Sequence, residues 1–240
     1  MFIRIFQHEI RNILRDKMYG FLMVFSLLMI VGGAYLIPYL QTTLPLGSPI
    51  PDIVTFVFII MMSFFFGAIT GFTMLDDKDD YVLFSLRVTP IDVKYYVIIK
   101  LVISYLFGFV ATFAMIIFTP FLSNASFGQK LLIAILAALQ GPILSLLVNA
   151  FSSNKVEGFV FMKMSGLILM LPIAAFFVEG PIEFIMAPIP GFWTARMVGM
   201  HLSFAPDGML SFLLYFIFGV LVNLLLLTLL FRFFQKRNHL

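Results

Sequence analysis

Long apolar runs separated by short polar breaks dominate the chain, and this pattern predicts an all-α membrane protein. Each run is close to or above the roughly 20 residues that an α-helix needs to cross a bilayer. The runs predict six transmembrane helices, at residues 20–40, 53–75, 95–122, 131–151, 159–178 and 209–231. Little of the chain is left for a water-soluble domain, so we expect residues 1–240 to form a single transmembrane domain.

Residues 1–19 follow a different pattern, in which apolar and basic positions each recur at spacings of three and four. The apolar set is Ile3, Phe6, Ile10 and Ile13, and the basic set is Arg4, His8, Arg11 and Arg15. Two such faces are typical of an N-terminal amphipathic helix that lies in the membrane interface, with its basic side toward anionic headgroups. A cytosolic helix packed against a partner protein is the alternative.

Several predicted spans contain residues that bend helices or bring them together. A small-xxx-small pattern begins at Gly67, and we expect it to permit close helix contact within the chain rather than in a dimer. Pro142 predicts an interruption of the fourth span and Pro172 a bend in the fifth, because proline removes a backbone donor. Residues 179–208 are apolar but rich in proline, so we expect short, partly re-entrant helices there, with Trp193 at the membrane interface.

The composition excludes a soluble fold. Hydrophobic residues make up 62% of the chain and charged residues only 11%, whereas soluble proteins carry about 25% charged residues. The mean hydropathy is +1.08. The absence of cysteine excludes disulfides, a thiol nucleophile and a cysteine-bound metal. A net charge of +3 gives no support for a nucleic-acid partner, and the partner that the composition implies is the lipid bilayer.

The basic residues set the predicted orientation. If both ends of the chain lie on one side of the membrane, every one of the 15 Lys and Arg except Lys130 and Arg196 falls on that side or within reach of it. Because basic residues accumulate in cytoplasmic loops, this asymmetry predicts cytoplasmic N- and C-termini and an even number of spans. We therefore expect a multi-pass protein of the cell (plasma or inner) membrane.

The predicted spans lack the groups that most membrane chemistry needs. None has Asp, Glu, Lys, Arg or His near its centre, which argues against proton-coupled transport. There is no glycine-rich phosphate loop, so we expect no ATP binding by this chain itself. The three histidines, His8, His201 and His239, are far apart in sequence, and we predict no catalytic site, metal or cofactor.

The polar residues within the spans are few and uncharged. Gln140, Asn149 and Asn223 are candidates for a weakly polar substrate path, and hydrogen bonding between helices is the alternative interpretation. Glu179 and Glu183 are four residues apart, so they would share one face of a helix and line an outer exit that meets cationic substrate groups. Ordinary solvation at the bilayer edge is the alternative for these two.

The densest cluster of charge lies between the second and third predicted spans. We expect a short helix at about residues 78–88, with Asp79 and Asp80 in its first turn, where the helix dipole favours anions. Leu83 and Leu86 give this helix an apolar face. The alternative is a solvated loop that only connects the two spans.

The residues that follow predict the junction with the third span. Arg87 suits the last turn of the short helix, where the dipole favours a cation. Thr89 and Pro90 form a helix start, since threonine caps and proline occupies the first turn. Lys94 and Lys100 lie at the inner end of the span, where we expect them to snorkel toward water.

In these features the chain resembles the permease subunit of ABC-2 type exporters. That family has an amphipathic N-terminal helix, six spans and an irregular apolar region between spans five and six. It also has an acidic stretch after span two, followed by a Leu-rich turn, Thr-Pro and a lysine in span three. Here that motif reads Asp76, Asp77, Lys78, Asp79 and Asp80, then Leu83 to Leu86, Thr89-Pro90 and Lys100. The small drug-export permeases of the fluoroquinolone type look most similar.

The resemblance implies an ATP-driven exporter that moves an amphipathic or lipophilic small molecule, such as a drug, outward. It implies two copies of a separate ABC ATPase subunit and a second permease chain, in a homodimer or a heterodimer. The short helix would sit in a groove of the ATPase. The implied contact residues are Asp77, Lys78, Asp79, Asp80, Leu83, Leu86, Arg87, Thr89 and Pro90. A channel or scaffold outside the ABC class, or an unrecognised intramembrane enzyme, is the alternative.

Overall fold

The computed structural model describes residues 7, 11, 15–45, 47–86, 92–202 and 208–237, with only the backbone at positions 83, 84 and 169. Most of the predicted amphipathic helix at residues 1–19 falls outside this part of the chain. Six helices are long and apolar enough to cross a membrane, which confirms an all-helical multi-pass protein. Numbered as spans 1 to 6, they are Lys17–Thr43, Ile50–Asp79, Val93–Phe118, Phe127–Phe151, Lys155–Phe176 and Phe212–Arg237. The described residues contain no β-strand.

Polar side chains mark the starts of four spans. Asp16 accepts a hydrogen bond of 2.7 Å from the first turn of span 1, and Asp92 accepts one of 2.8 Å from the first turn of span 3. Ser126 and Gln129 form a reciprocal capping box at span 4, and Asn154 caps span 5. These side chains satisfy backbone donors that a helix leaves unpaired, so they fix where each span begins.

Spans 2 and 4 form the centre of the bundle. Their apolar stretches are 72% and 78% buried, against 17% for spans 1 and 6. A Cβ atom added at Gly67 would come within 2.5 Å of the Gly141 carbonyl oxygen, so only glycine permits this approach. Ser145 donates to the Gly67 carbonyl at 2.7 Å, and Asn149 donates to the Gly71 carbonyl at 2.9 Å. The small-xxx-small pattern is therefore confirmed as a contact within the chain.

Span 4 is interrupted where the sequence predicts it. It consists of two helices, Phe127–Ala138 and Gln140–Phe151. Pro142 has no N–H to donate to the carbonyl of Ala138, four residues earlier. The Ser63 hydroxyl of span 2 donates to that carbonyl instead, at 2.8 Å. The break thus becomes a hydrogen-bonded contact between the two central spans.

Span 5 also changes its geometry, as its proline predicts. Its α-helix, Lys155–Met170, continues as a 3-10 helix, Leu171–Phe176, which contains Pro172. The chain then forms another 3-10 helix, Gly180–Met186, and an α-helix, Phe192–Gly199. Short helices therefore occupy the proline-rich region, and their re-entry into the outer leaflet stays a prediction.

The prediction that Trp193 lies at the membrane interface is wrong for this structure. Its side chain is only 4% exposed, and its indole N–H donates to the Ala187 carbonyl at 2.9 Å. The ring packs against Tyr215 and Phe218 of span 6. The helix that carries it is buried along its whole length, because it packs under span 6 and the end of span 5.

The charged stretch differs from its predicted form. Asp79 is the last residue of span 2 and Asp80 caps its C-terminal end, so neither lies in the first turn of the short helix. Tyr81 has a left-handed backbone conformation, with φ of 56°, and the short helix comprises Val82–Leu86 within the described residues. Span 2 contains no helix breaker before Asp80, and its α-helix therefore runs on through the aspartates.

Candidate functional site: the charged end of the bundle

The start of span 1 and the end of span 6 contact charged loops at the same end of the bundle. The Tyr19 hydroxyl of span 1 donates to Asp76 at the end of span 2. Arg237 of span 6 donates to the Ala150 carbonyl and, at 3.0 Å, to the Ser153 hydroxyl. We call this region the charged end, and it comprises Tyr19, residues 76–80, Tyr96, Lys100, Asn149, Lys155 and Arg237.

Asp76 joins span 2 to spans 1 and 5. Besides the Tyr19 hydroxyl, it binds the ammonium group of Lys155, with an N–O distance of 2.8 Å. Both side chains of this ion pair are about one third exposed, at 32% for Lys155 and 29% for Asp76. Pairs exposed to this degree contribute little to stability, so this contact positions the spans more than it stabilises them.

Asp77 and Lys100 form a buried ion pair between spans 2 and 3. The N–O distance is 2.5 Å, and the side chain of Lys100 is fully buried while that of Asp77 is 12% exposed. Tyr96 donates its hydroxyl to Asp77 at 3.1 Å. The prediction that Lys100 snorkels toward water is therefore wrong, because Asp77 supplies an opposite charge inside the bundle. The pair closes the loop that contains the short helix.

Lys78 and Asp79 extend the contacts to the other spans. The Lys78 ammonium donates to the Asn149 carbonyl at 2.9 Å and lies 5.1 Å from the ring centre of Phe234 in span 6. A carboxylate oxygen of Asp79 accepts a hydrogen bond of 3.2 Å from the Lys155 backbone. The charged side chains at the end of span 2 thus contact each of the other five spans.

The exposed residues at the end of span 2 and in the short helix are few. Asp79, Asp80, Tyr81 and Ser85 are exposed, and Leu86 is half-buried. The side chain of Leu83 is not described, and Arg87, Thr89 and Pro90 lie outside the described residues. Of the nine predicted ATPase contacts, Asp77 and Lys78 face into the bundle, whereas Asp79 and Asp80 face out. Their role in binding an ATPase stays a prediction.

The three amides predicted as a substrate path are buried within the chain. Gln140 donates to the Asn223 side chain at 3.1 Å, and Asn223 donates to the Gly219 carbonyl at 2.7 Å. Asn149 donates to the carbonyls of Gly71 and Ser145. This geometry favours the alternative interpretation, in which the amides connect helices. A role in substrate passage stays a prediction.

Glu179 and Glu183 do not share a face. Glu179 is exposed and precedes the 3-10 helix Gly180–Met186, whereas Glu183 is fully buried. A 3-10 helix that begins at Gly180 has three residues per turn, so the four-residue spacing of an α-helix does not apply. The prediction that the two carboxylates share a helix face is therefore wrong for this structure, and a role in substrate exit stays a prediction.

Glu183 instead belongs to a buried cluster with Arg196 and Tyr215. Its carboxylate lies 2.5 Å from the guanidinium of Arg196 and accepts a hydrogen bond of 2.6 Å from the Tyr215 hydroxyl. Arg196 also donates to the Val178 carbonyl at 2.6 Å. Sequence reasoning treated Arg196 as an outer loop residue. The signal available was an arginine within an apolar segment, which needs a carboxylate partner.

Lys163 contradicts the expectation that no span has a charged residue near its centre. Its side chain is exposed on span 5, eight residues after Lys155. At 1.5 Å per residue it lies about 12 Å from the start of the helix and about 4 Å from the midpoint of Lys155–Phe176. The predicted span begins at residue 159, four residues before Lys163, whereas the helix begins eight residues before it. A central charge costs about 2.5–3.5 kcal/mol on insertion scales.

Six membrane-spanning helices with a polar cluster at one end define the class, a multi-pass membrane protein. The chain belongs to the family described as fluoroquinolones export permease protein Rv2686c-like, whose model matches residues 9–231. This membership confirms the resemblance to small drug-export permeases. It also assigns the chain to a family of transporters rather than of catalysts.

Two curated relatives come from Mycobacterium tuberculosis. They are the fluoroquinolones export permease protein Rv2686c of strain ATCC 25618 / H37Rv and the fluoroquinolones export permease protein MT2760 of strain CDC 1551 / Oshkosh. Each is 23% identical over 252 residues, an alignment that covers 97% of this chain and 93% of the relative. No solved structure matches the chain.

Proposed function

We propose that this chain is the membrane-spanning permease of an ATP-driven ABC-2 type exporter in the cell membrane. It moves an amphipathic or lipophilic drug of the fluoroquinolone kind outward, and a separate ABC ATPase hydrolyses the ATP. Family membership and the names of the relatives support the cargo and the direction. The observation that carries the energy coupling is the short helix Val82–Leu86, held between two spans that the buried ion pair of Asp77 and Lys100 ties together.

The short helix is placed to transmit force. It is joined covalently to span 2 on one side and, through residues 87–92, to span 3 on the other. Because Asp77 and Lys100 connect these two spans at 2.5 Å, a push on the short helix moves both span ends together. The exposed Asp79, Asp80 and Tyr81 lie beside it and complete the surface that an ATPase contacts.

The exporter contains two permease chains, identical or different, and two ATPase subunits. Spans 1, 5 and 6 are only 17%, 24% and 17% buried within one chain, so they leave large apolar faces for the bilayer and for a second permease. Twelve spans then surround one path. Export of drugs by such an assembly gives the cell multidrug resistance.

Copurification with a separate ABC ATPase from the same organism tests the proposal. We expect the pair to copurify and the permease to stimulate ATP hydrolysis. Leu86→Asp introduces a charge on the short helix, and Asp80→Lys reverses one at the exposed end of span 2. Both variants should weaken the complex. Thr43→Asp, an exposed position at the other end of span 1, is the matched control and should leave it intact. An unchanged complex in both variants would show that the ATPase binds elsewhere, and an ATP-independent permease would favour the channel or scaffold alternative.

A further inference from the structure

Lys163 is the charged residue that the described bundle leaves without a counter-charge near the middle of a span. The structure pairs Lys100, the comparable lysine of span 3, with the carboxylate of Asp77. In the described part of the chain, no carboxylate or hydrogen-bond acceptor contacts the Lys163 ammonium. Among the described residues, one intramembrane lysine thus has an internal partner and the other has none.

Lys163 lies in an otherwise apolar stripe along span 5. The residues on this side are Val156, Val160, Met164, Leu167 and Leu171, with exposures of 75%, 60%, 57%, 71% and 50%. Their spacing of three and four residues defines one helix face. Ser165, on the opposite side, is buried and donates to the carbonyl of Phe161. The lysine therefore points away from its own bundle.

Snorkelling brings the ammonium only part of the way to the start of the helix. The lysine side chain leans toward the helix N-terminus, but that end is about 12 Å away along the axis. A four-carbon stem covers roughly half of that distance. Charged groups at such a depth face a bundle interior or a water-filled cavity rather than lipid. The position of this lysine favours a water-containing path along the exposed face of span 5 over contact with lipid.

We propose that Lys163 binds the carboxylate of the exported compound within this path. The inference rests on the proposed export function and specifies the chemical class of its cargo, an apolar ring system that carries an anionic group. The apolar stripe contacts the ring system, and the ammonium donates charge-assisted hydrogen bonds to the carboxylate. Fluoroquinolones are carboxylic acids of this class, and their methyl esters lack the anion while keeping the rings.

Export of the acid and of the ester tests the anion contact. Cells that express the permease with its ATPase are loaded with a fluorescent fluoroquinolone or its methyl ester, and efflux is followed over time. Loss of a charged hydrogen bond in Lys163→Met should raise the KM for the acid about tenfold or more and leave the ester unchanged. Lys163→Arg should retain export of the acid. Lys130→Met, the same change at the outer end of span 4, is the matched control.

Water access to position 163 is measured separately, since the chain has no cysteine of its own. Lys163→Cys should react with a charged methanethiosulfonate reagent. Leu225→Cys is the matched control, because Leu225 is 60% exposed at the midpoint of span 6. We expect this control to be unreactive in the bilayer.

The two experiments separate the inference from the function on which it rests. Equal export of the acid by wild type and Lys163→Met overturns the inference, and so does a cysteine at position 163 as unreactive as one at 225. If wild-type cells export neither compound, the proposed cargo is wrong. A reactive cysteine at position 163 would still support a water-containing path along span 5 in that case, and an unreactive one would overturn it.

Discussion

Removing Lys100 should destabilise this protein far more than removing Lys155, although each lysine pairs with one of two adjacent aspartates. In the Lys100→Met variant the carboxylate of Asp77, only 12% exposed, loses its counter-charge. Breaking a buried pair costs about 3–5 kcal/mol. The hydroxyl of Tyr96 still donates to Asp77, so we expect the lower end of that range. Lys155→Met breaks a pair that is about one third exposed and should cost about 1 kcal/mol or less.

The assay is reversible unfolding of the purified permease in mixed micelles, followed by helical circular dichroism as denaturing detergent is added. The free energy of unfolding is measured for wild type, both single variants, Asp77→Asn and the double variant Asp77→Asn/Lys100→Met. The double variant buries no unpaired charge, so its stability should return close to that of wild type. Equal costs for the Lys100 and Lys155 variants, or a double variant as unstable as the sum of its singles, would refute the reasoning.

Two further variants test the packing at the centre and at the opposite end. Gly67→Ala places a Cβ atom 2.5 Å from a carbonyl oxygen of span 4 and should cost about 1–3 kcal/mol through overpacking, whereas Gly166→Ala, with open space around it, should be neutral. Both are compared by thermal stability on size-exclusion chromatography. Glu183→Gln leaves the 3% exposed Arg196 without its counter-charge and should cost about 3 kcal/mol. The emission of the single tryptophan, Trp193, reports the loosening as a red shift, and an unshifted spectrum with unchanged stability would contradict it.

The spans and their irregularities follow from sequence for a physical reason. A bilayer offers no hydrogen-bond partners to the backbone, so a long apolar run has to be helical. The break at Pro142 follows from its missing N–H, and the contact at Gly67 from its missing side chain. These are local properties of single residues. They predict the six spans and the close approach of the two central ones without knowledge of which residues lie opposite in the neighbouring helix.

The polar contacts depend on long-range geometry and could not be predicted in the same way. Asp77 and Lys100 are close only because spans 2 and 3 pack side by side, and the sequence alone favoured snorkelling for the lysine. Glu183 and Arg196 meet because a 3-10 helix and a short α-helix fold back under span 6. The position of Lys163 along span 5 could not be predicted for another reason. Its depth in the membrane depends on where span 5 begins, and helix ends are the least certain part of a pattern.

ATP-driven export in proteoliposomes tests the central claim most directly. The permease and the ABC ATPase with which it copurifies are reconstituted together, ATP is supplied on the side of the charged end, and fluoroquinolone movement to the other side is measured. The account predicts transport that requires ATP, requires the ATPase and is lost with Leu86→Asp. Transport at the same rate without ATP, or without the ATPase, would contradict it.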